Sequence, residues 1–113
     1  MNQNFTDPII ILKTYDFYKE FYLEISHWPK PERYNLGAGS EKLILEILSG
    51  LLAAARNLNP RFNLIQCNLK LQILKLFIRL AKDIGILKDK KYLFLESRIL
   101  EIGKMLGGWL KTK

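Results

Sequence analysis

Three breaks divide this sequence into four blocks of helical periodicity, and they limit the fold more than any other feature. They are Pro29 with Pro31, the Asn59-Pro60 pair, and Gly85. Proline turns the residue before it away from the helical region and is tolerated at a first helical position, where its missing N–H has no partner to lose. Glycine suits the left-handed residue that closes a helix. Between the breaks apolar residues recur every three or four positions, and no useful stretch alternates with the strand period of two.

Asp7-Pro8 predicts an N-cap followed by proline at the first helical position. From there Ile9, Leu12, Tyr15, Phe17, Tyr18, Phe21, Tyr22 and Ile25 carry an aromatic-rich first helix towards Trp28. Residues Trp28 to Gly37 form the one substantial connection. The second helix runs from about Leu36 or Ser40 to Asn57, with Ser40 as candidate cap. The third spans Pro60 to Ile84 and ends at Gly85. The fourth opens at Lys88-Asp89-Lys90-Lys91 and carries Tyr92, Leu95, Ile99, Ile102, Met105, Leu106 and Trp109. Four such helices with short connections predict an all-α, up-down-up-down four-helix bundle in one domain, residues 1–113.

Scarcity removes most catalytic chemistry. One cysteine, Cys67, and one histidine, His27, exclude an internal disulfide and a zinc site of the usual kind within one chain. A Cys–His nucleophilic pair is available in principle, but Cys67 sits in an amphipathic run where a small buried thiol is the ordinary reading. Asp16, Glu20 and Glu24 lie one turn apart, as on a solvated helix face, and no phosphate loop, metal set or triad accompanies them. The chain therefore reads as no enzyme, with no cofactor. The longest apolar stretch, Leu43 to Ala55, contains Glu46 and is shorter than the ~18 residues a membrane span needs. With no charged-then-apolar leader at Asn2 to Asp7, the expectation is a cytoplasmic protein without a membrane partner.

The net charge of +7 is unevenly placed. Acids outnumber bases through residue 46, whereas residues 47–82 hold Arg56, Arg61, Lys70, Lys75, Arg79 and Lys82 and no acid at all. Projected at about 100° per residue, Lys75, Arg79, Lys82 and Arg61 fall within about 60° of one another on the third helix, beside Asn68 and Gln72. Phe62, Leu69, Ile73, Leu76, Phe77, Leu80 and Ile84 form a separate stripe, expected to face the core. A file of cations on one helix face suits a phosphate backbone. The aromatic residues Tyr15, Phe17, Tyr18, Phe21 and Tyr22 are interleaved with acids instead, so they read as core and interface rather than base-stacking platforms.

Two features point to association between copies. The second helix is apolar around most of its circumference, more than one core needs. In the fourth, Gly103 and Gly107 share a face, and Gly107-Gly108 precede Trp109 and Leu110. Glycines so placed either admit a close helix contact, within the chain or between subunits, or fray the helix end.

Several segments resemble one known family. They are Lys13-Thr14-Tyr15-Asp16, Pro31-Glu32-Arg33-Tyr34-Asn35-Leu36-Gly37, Leu76-Phe77-Ile78-Arg79-Leu80-Ala81-Lys82-Asp83 and Ile102-Gly103-Lys104-Met105-Leu106-Gly107-Gly108-Trp109-Leu110. Together they make the chain similar to the accessory variability determinant (Avd) proteins of diversity-generating retroelements over nearly its whole length. The resemblance implies a basic pentameric barrel of four-helix protomers. Its partners would be the element's reverse transcriptase and the template RNA or cDNA. Lys75, Arg79 and Lys82 would then face nucleic acid or the polymerase, with Arg56, Arg61, Arg98 and Lys104 as secondary members. Gly103, Gly107, Gly108 and Trp109 would be structural or interface residues. Where such proteins usually carry a charged pair after the Leu-Gly of the connection, this chain has Ala38-Gly39-Ser40. The related ribosomal-RNA intervening-sequence proteins imply the alternative, a protein-interaction bundle without direct nucleic-acid binding. Their early Trp-Gln-Lys and second-helix Ser-Asn-Ile-Ala-Glu-Gly-like segments are missing here.

Overall fold

A computed structural model describes residues 8–113. The described residues contain four long helices and no strand: α1 (Ile9–Ile25), α2 (Ala38–Ala55), α3 (Pro60–Asp83) and α4 (Asp89–Leu110). Each helix packs on its neighbours in sequence, and α1 also packs on α4, closing a four-helix bundle with α1 and α3 at opposite corners. The molecule is elongated along the helices, 44 × 26 × 22 Å. Asp7, the expected N-cap of α1, lies outside the described residues. Pro8 precedes the helix rather than opening it, and its carbonyl accepts the Ile11 N–H at 3.0 Å.

The turns form where their sequences allow positive φ. At the end of α3, Gly85 takes φ 84°, while the Gly85 N–H donates to the Lys82 carbonyl and the Ile86 N–H to Ala81. The end of α2 repeats this pair of bonds, Asn57 to Ala54 and Leu58 to Ala53, with Asn57 at φ 61°. Asparagine replaces glycine there because it tolerates the left-handed region better than other side chains. Asn59 is also left-handed, and the Asn63 amide donates to the carbonyls of Leu58 and Asn59, tying the first turn of α3 to the link.

The connection between α1 and α2 is not a loop. Lys30–Glu32 form one helical turn and Arg33–Gly37 a π-turn that runs straight into α2. Ser40 therefore caps nothing: it is buried inside the helical run and its hydroxyl donates to the Leu36 carbonyl at 2.8 Å. Trp28 plugs this end of the core. Its indole meets Phe21 edge-on at 5.7 Å, and Arg33 reaches back to the carbonyls of Ser26 and Trp28.

The largest departure from expectation is the orientation of α3. Its inward face is Leu64, Cys67, Leu71, Leu74, Ile78 and Ala81. Phe62, Leu69, Ile73, Leu76, Leu80 and Ile84, the stripe expected in the core, are exposed, and only Phe77 is half-buried. The inner face includes two small residues, and smallness is what the packing uses. A Cβ placed on Gly50 of α2 would stand 2.5 Å from the Cys67 sulfur, so α2 and α3 meet closely at this point. On α1, likewise, Ile10, Ile11, Phe17, Phe21 and Ile25 are buried, whereas Ile9, Leu12, Tyr15 and Tyr22 are exposed.

Candidate nucleic-acid interface

The inward turn of α3 leaves its cations on the flank facing α4. Two adjoining stretches of the α3–α4 groove share Gln72 and Lys75. One is lined by Asn68, Lys75, Ile99, Leu100 and Lys104, with no acid on its walls. The other continues past Lys75 to Arg79, Tyr92 and Glu96. Lys75, Arg79 and Lys104 thus come together, two from one helix and one from its neighbour. Lys82 sits at the groove's far end, half-buried, with its ammonium 5.2 Å from the centre of the Tyr92 ring. The Tyr92 hydroxyl donates to Glu96 at 2.9 Å, and that bond, ahead of burial, holds the phenol pKa above its ordinary value. Tyr92 therefore stays neutral and adds no negative charge to the groove.

The other candidates lie elsewhere. Arg56 and Arg61 are exposed at the α2–α3 turn. Arg98 belongs to the opposite groove, between α1 and α4, stacked 4.9 Å from the Phe94 ring and 3.7 Å from Glu101. That groove mixes signs, with Lys13, Asp16, Lys19, Glu20 and Glu101 on its walls. Nor is the acid-free run of sequence free of acid in space. Lys70 meets Glu46 of α2 at 3.7 Å, and Arg79 meets Asp83 at 3.7 Å one turn along. The Arg79–Asp83 pair is exposed and the Lys70–Glu46 pair half-buried at the surface; each contributes at most about 1 kcal/mol, and a phosphate can displace them. The contribution of Lys104 and Tyr92 to this groove was not legible in the third helix, because both come from α4.

The glycine motif divides as well. A Cβ on Gly103 would touch Leu71 at an ordinary 3.6 Å, whereas Gly107 and Gly108 face open space. The helix continues through all three to Leu110, so the end does not fray. Close packing within the chain is not made at Gly107 or Gly108. Trp109 is half-buried and lines a cleft at the end of the bundle with Pro8, Ile10, Ala54 and Met105.

The Cys–His pairing does not form a nucleophilic site. Cys67 is buried, its thiol donates to the Ile47 carbonyl at 3.4 Å, and burial pushes its pKa up to about 11, away from the reactive thiolate. His27 is exposed beyond the end of α1. Alkylation at pH 8 should accordingly be slow in the folded protein and rise by orders of magnitude in denaturant. Equal rates in both states would contradict this placement of the sulfur. Among the described residues no cluster of His, Cys, Asp and Glu could hold a metal ion, and no helix is long and apolar enough to cross a membrane.

A family model described as bAvd-like matches residues 8–113. No curated protein and no solved structure matches the chain.

Proposed function

The chain belongs to the bAvd-like family, and from that premise we propose that it is a non-catalytic accessory protein of a diversity-generating retroelement. In this reading it binds the element's template RNA or cDNA along the α3–α4 groove and presents it to the reverse transcriptase. Copies of the chain associate with one another, five being the number the resemblance implies. The observation that carries the reading is the convergence of Lys75, Arg79 and Lys104 in one groove, with a stretch that has no acid on its walls. Cations on two parallel walls can follow a phosphate backbone that runs between them. Base-edge recognition is not required, so discrimination comes from RNA shape or from the polymerase.

The test is the salt dependence of binding to a structured RNA. Each phosphate contact contributes about 0.7–0.9 to the slope of log affinity against log salt. Changing Lys75, Arg79 and Lys104 together to Gln is expected to reduce that slope by about 2–3 for each groove engaged. Arg98→Gln, on the other side of the bundle, should leave it unchanged. Weak binding with a flat slope in both proteins would overturn the nucleic-acid role and favour the protein-interaction bundle.

A further inference from the structure

The two stretches of the α3–α4 groove differ in a way that phosphate binding alone does not explain. The stretch with Asn68 and Lys104 has no acid on its walls, whereas the stretch with Arg79 and Tyr92 has one, Glu96. Facing Glu96 from the α3 wall are Lys75 and Arg79, one turn apart and about 6 Å along the helix. Arg79 makes its ion pair with Asp83, at 3.7 Å, rather than with Glu96. Glu96 is half-buried, and the Tyr92 hydroxyl donates to its Oε2 at 2.9 Å. Tyr92 is itself braced by the Lys82 ammonium, 5.2 Å from its ring centre. One carboxylate oxygen is therefore fixed from within α4, and the other, Oε1, is left to accept from whatever lies in the groove.

A carboxylate repels phosphate and can only accept hydrogen bonds. On the wall of a groove that holds a nucleic-acid backbone it is unfavourable unless that backbone brings a donor. Phosphodiesters and deoxyribose bring none. The ribose 2′-hydroxyl is such a donor, and it is the group by which a protein distinguishes RNA from DNA at a given site. We infer that Oε1 of Glu96 accepts a hydrogen bond from a ribose 2′-hydroxyl of a strand whose phosphates lie on Lys75 and Arg79, which makes this stretch of the groove selective for RNA over DNA. The inference rests on the nucleic-acid reading proposed above and selects RNA over cDNA as the occupant of the groove. Tyr92 is a positioning residue in it, holding the carboxylate while the hydroxyl donates. Base amino groups can also donate to a carboxylate, but RNA and DNA of one sequence share them, so they give no preference between the two.

The test is binding of one hairpin sequence made in ribo, 2′-deoxy and 2′-O-methyl form. The 2′-O-methyl form keeps the ribose oxygen but cannot donate from it. Wild type is expected to bind the ribo form about tenfold more tightly than either of the others, the scale of one hydrogen bond to a charged group. Glu96→Leu, with its fold checked by circular dichroism, should bind all three within about twofold of one another, mainly through tighter binding of the deoxy and 2′-O-methyl forms once the repulsion is gone. Glu101→Gln, which removes an acid from the α1–α4 groove, should leave the ribo preference intact. A ribo preference that survives Glu96→Leu overturns the inference, as does a 2′-O-methyl form bound as tightly as the ribo form. Equal binding of all three forms by wild type, with a salt slope that still falls when Lys75, Arg79 and Lys104 are changed to Gln, overturns this inference alone. Weak binding of every form with a flat salt slope overturns it together with the nucleic-acid reading.

Discussion

Replacing Trp28 with alanine is expected to destabilise the protein by about 3–5 kcal/mol, a large share of the roughly 5–15 kcal/mol that holds a small domain folded. The side chain is 2% exposed and packs edge-on against Phe21, which is itself fully buried and stacked with Phe17 at 6.2 Å. Truncation would open a cavity bounded by rings that cannot collapse into it without leaving one another. It would also strip the Glu24 carboxylate of the indole N–H that donates to it at 3.1 Å. At about 4 °C per kcal/mol for a domain of this size, the melting temperature should fall by roughly 12–20 °C. Trp109→Ala is the matched comparison. That ring is only half-buried, and its loss should cost less than half as much. Equal losses would mean that the core does not close on Trp28 as described.

Gly50→Ala should destabilise even though alanine is the better helix former by about 1 kcal/mol. The new methyl would fall 2.5 Å from the Cys67 sulfur and 3.5 Å from the Asn63 carbonyl oxygen. Cys67 turns about a single side-chain bond and is 1% exposed, so the sulfur has no free direction in which to retreat. Overpacking of this kind costs about 1–3 kcal/mol, enough to outweigh the gain in propensity. Cys67→Ala removes the obstructing atom. Gly50→Ala combined with Cys67→Ala should therefore be no less stable than Cys67→Ala alone, with a favourable coupling of about 1–2 kcal/mol between the two sites. Denaturant titration of the four proteins measures it directly. A stabilised Gly50→Ala single variant, or strict additivity, would mean that α2 and α3 do not approach closely there.

Both effects arise at positions whose importance is weakly written in the sequence. Trp28 stands beside prolines and reads as the end of a helix, yet the helical run from Lys30 to Gly37 folds over it and makes it core. Gly50 looks like a helix-weakening residue in an apolar run, and only the sulfur opposite it gives it a purpose. The charge pattern behaves similarly. A window along the chain sees no acid between residues 47 and 82, but Glu46 reaches Lys70 across the α2–α3 contact. The groove that gathers Lys75 and Arg79 takes Lys104 from a helix later in the chain.

What the sequence determined by itself is local. Pro60, Asn57, Asn59 and Gly85 set the helix limits through backbone preferences that no tertiary contact has to supply, and the 3.6 period between them makes the protein helical. Tertiary structure decided which way α3 turns. That helix has two apolar stripes, an inner one with heptad spacing at Leu64, Cys67, Leu71, Leu74, Ile78 and Ala81 and an outer one with eleven-residue spacing. Both satisfy helical periodicity, and hydrophobicity alone favours the outer one because its residues are larger. The inner stripe is the one buried, because its small residues let α2 come close and its heptad register matches the slight winding of a bundle. That choice depends on the shape of the neighbouring helices, which no single segment of the chain contains.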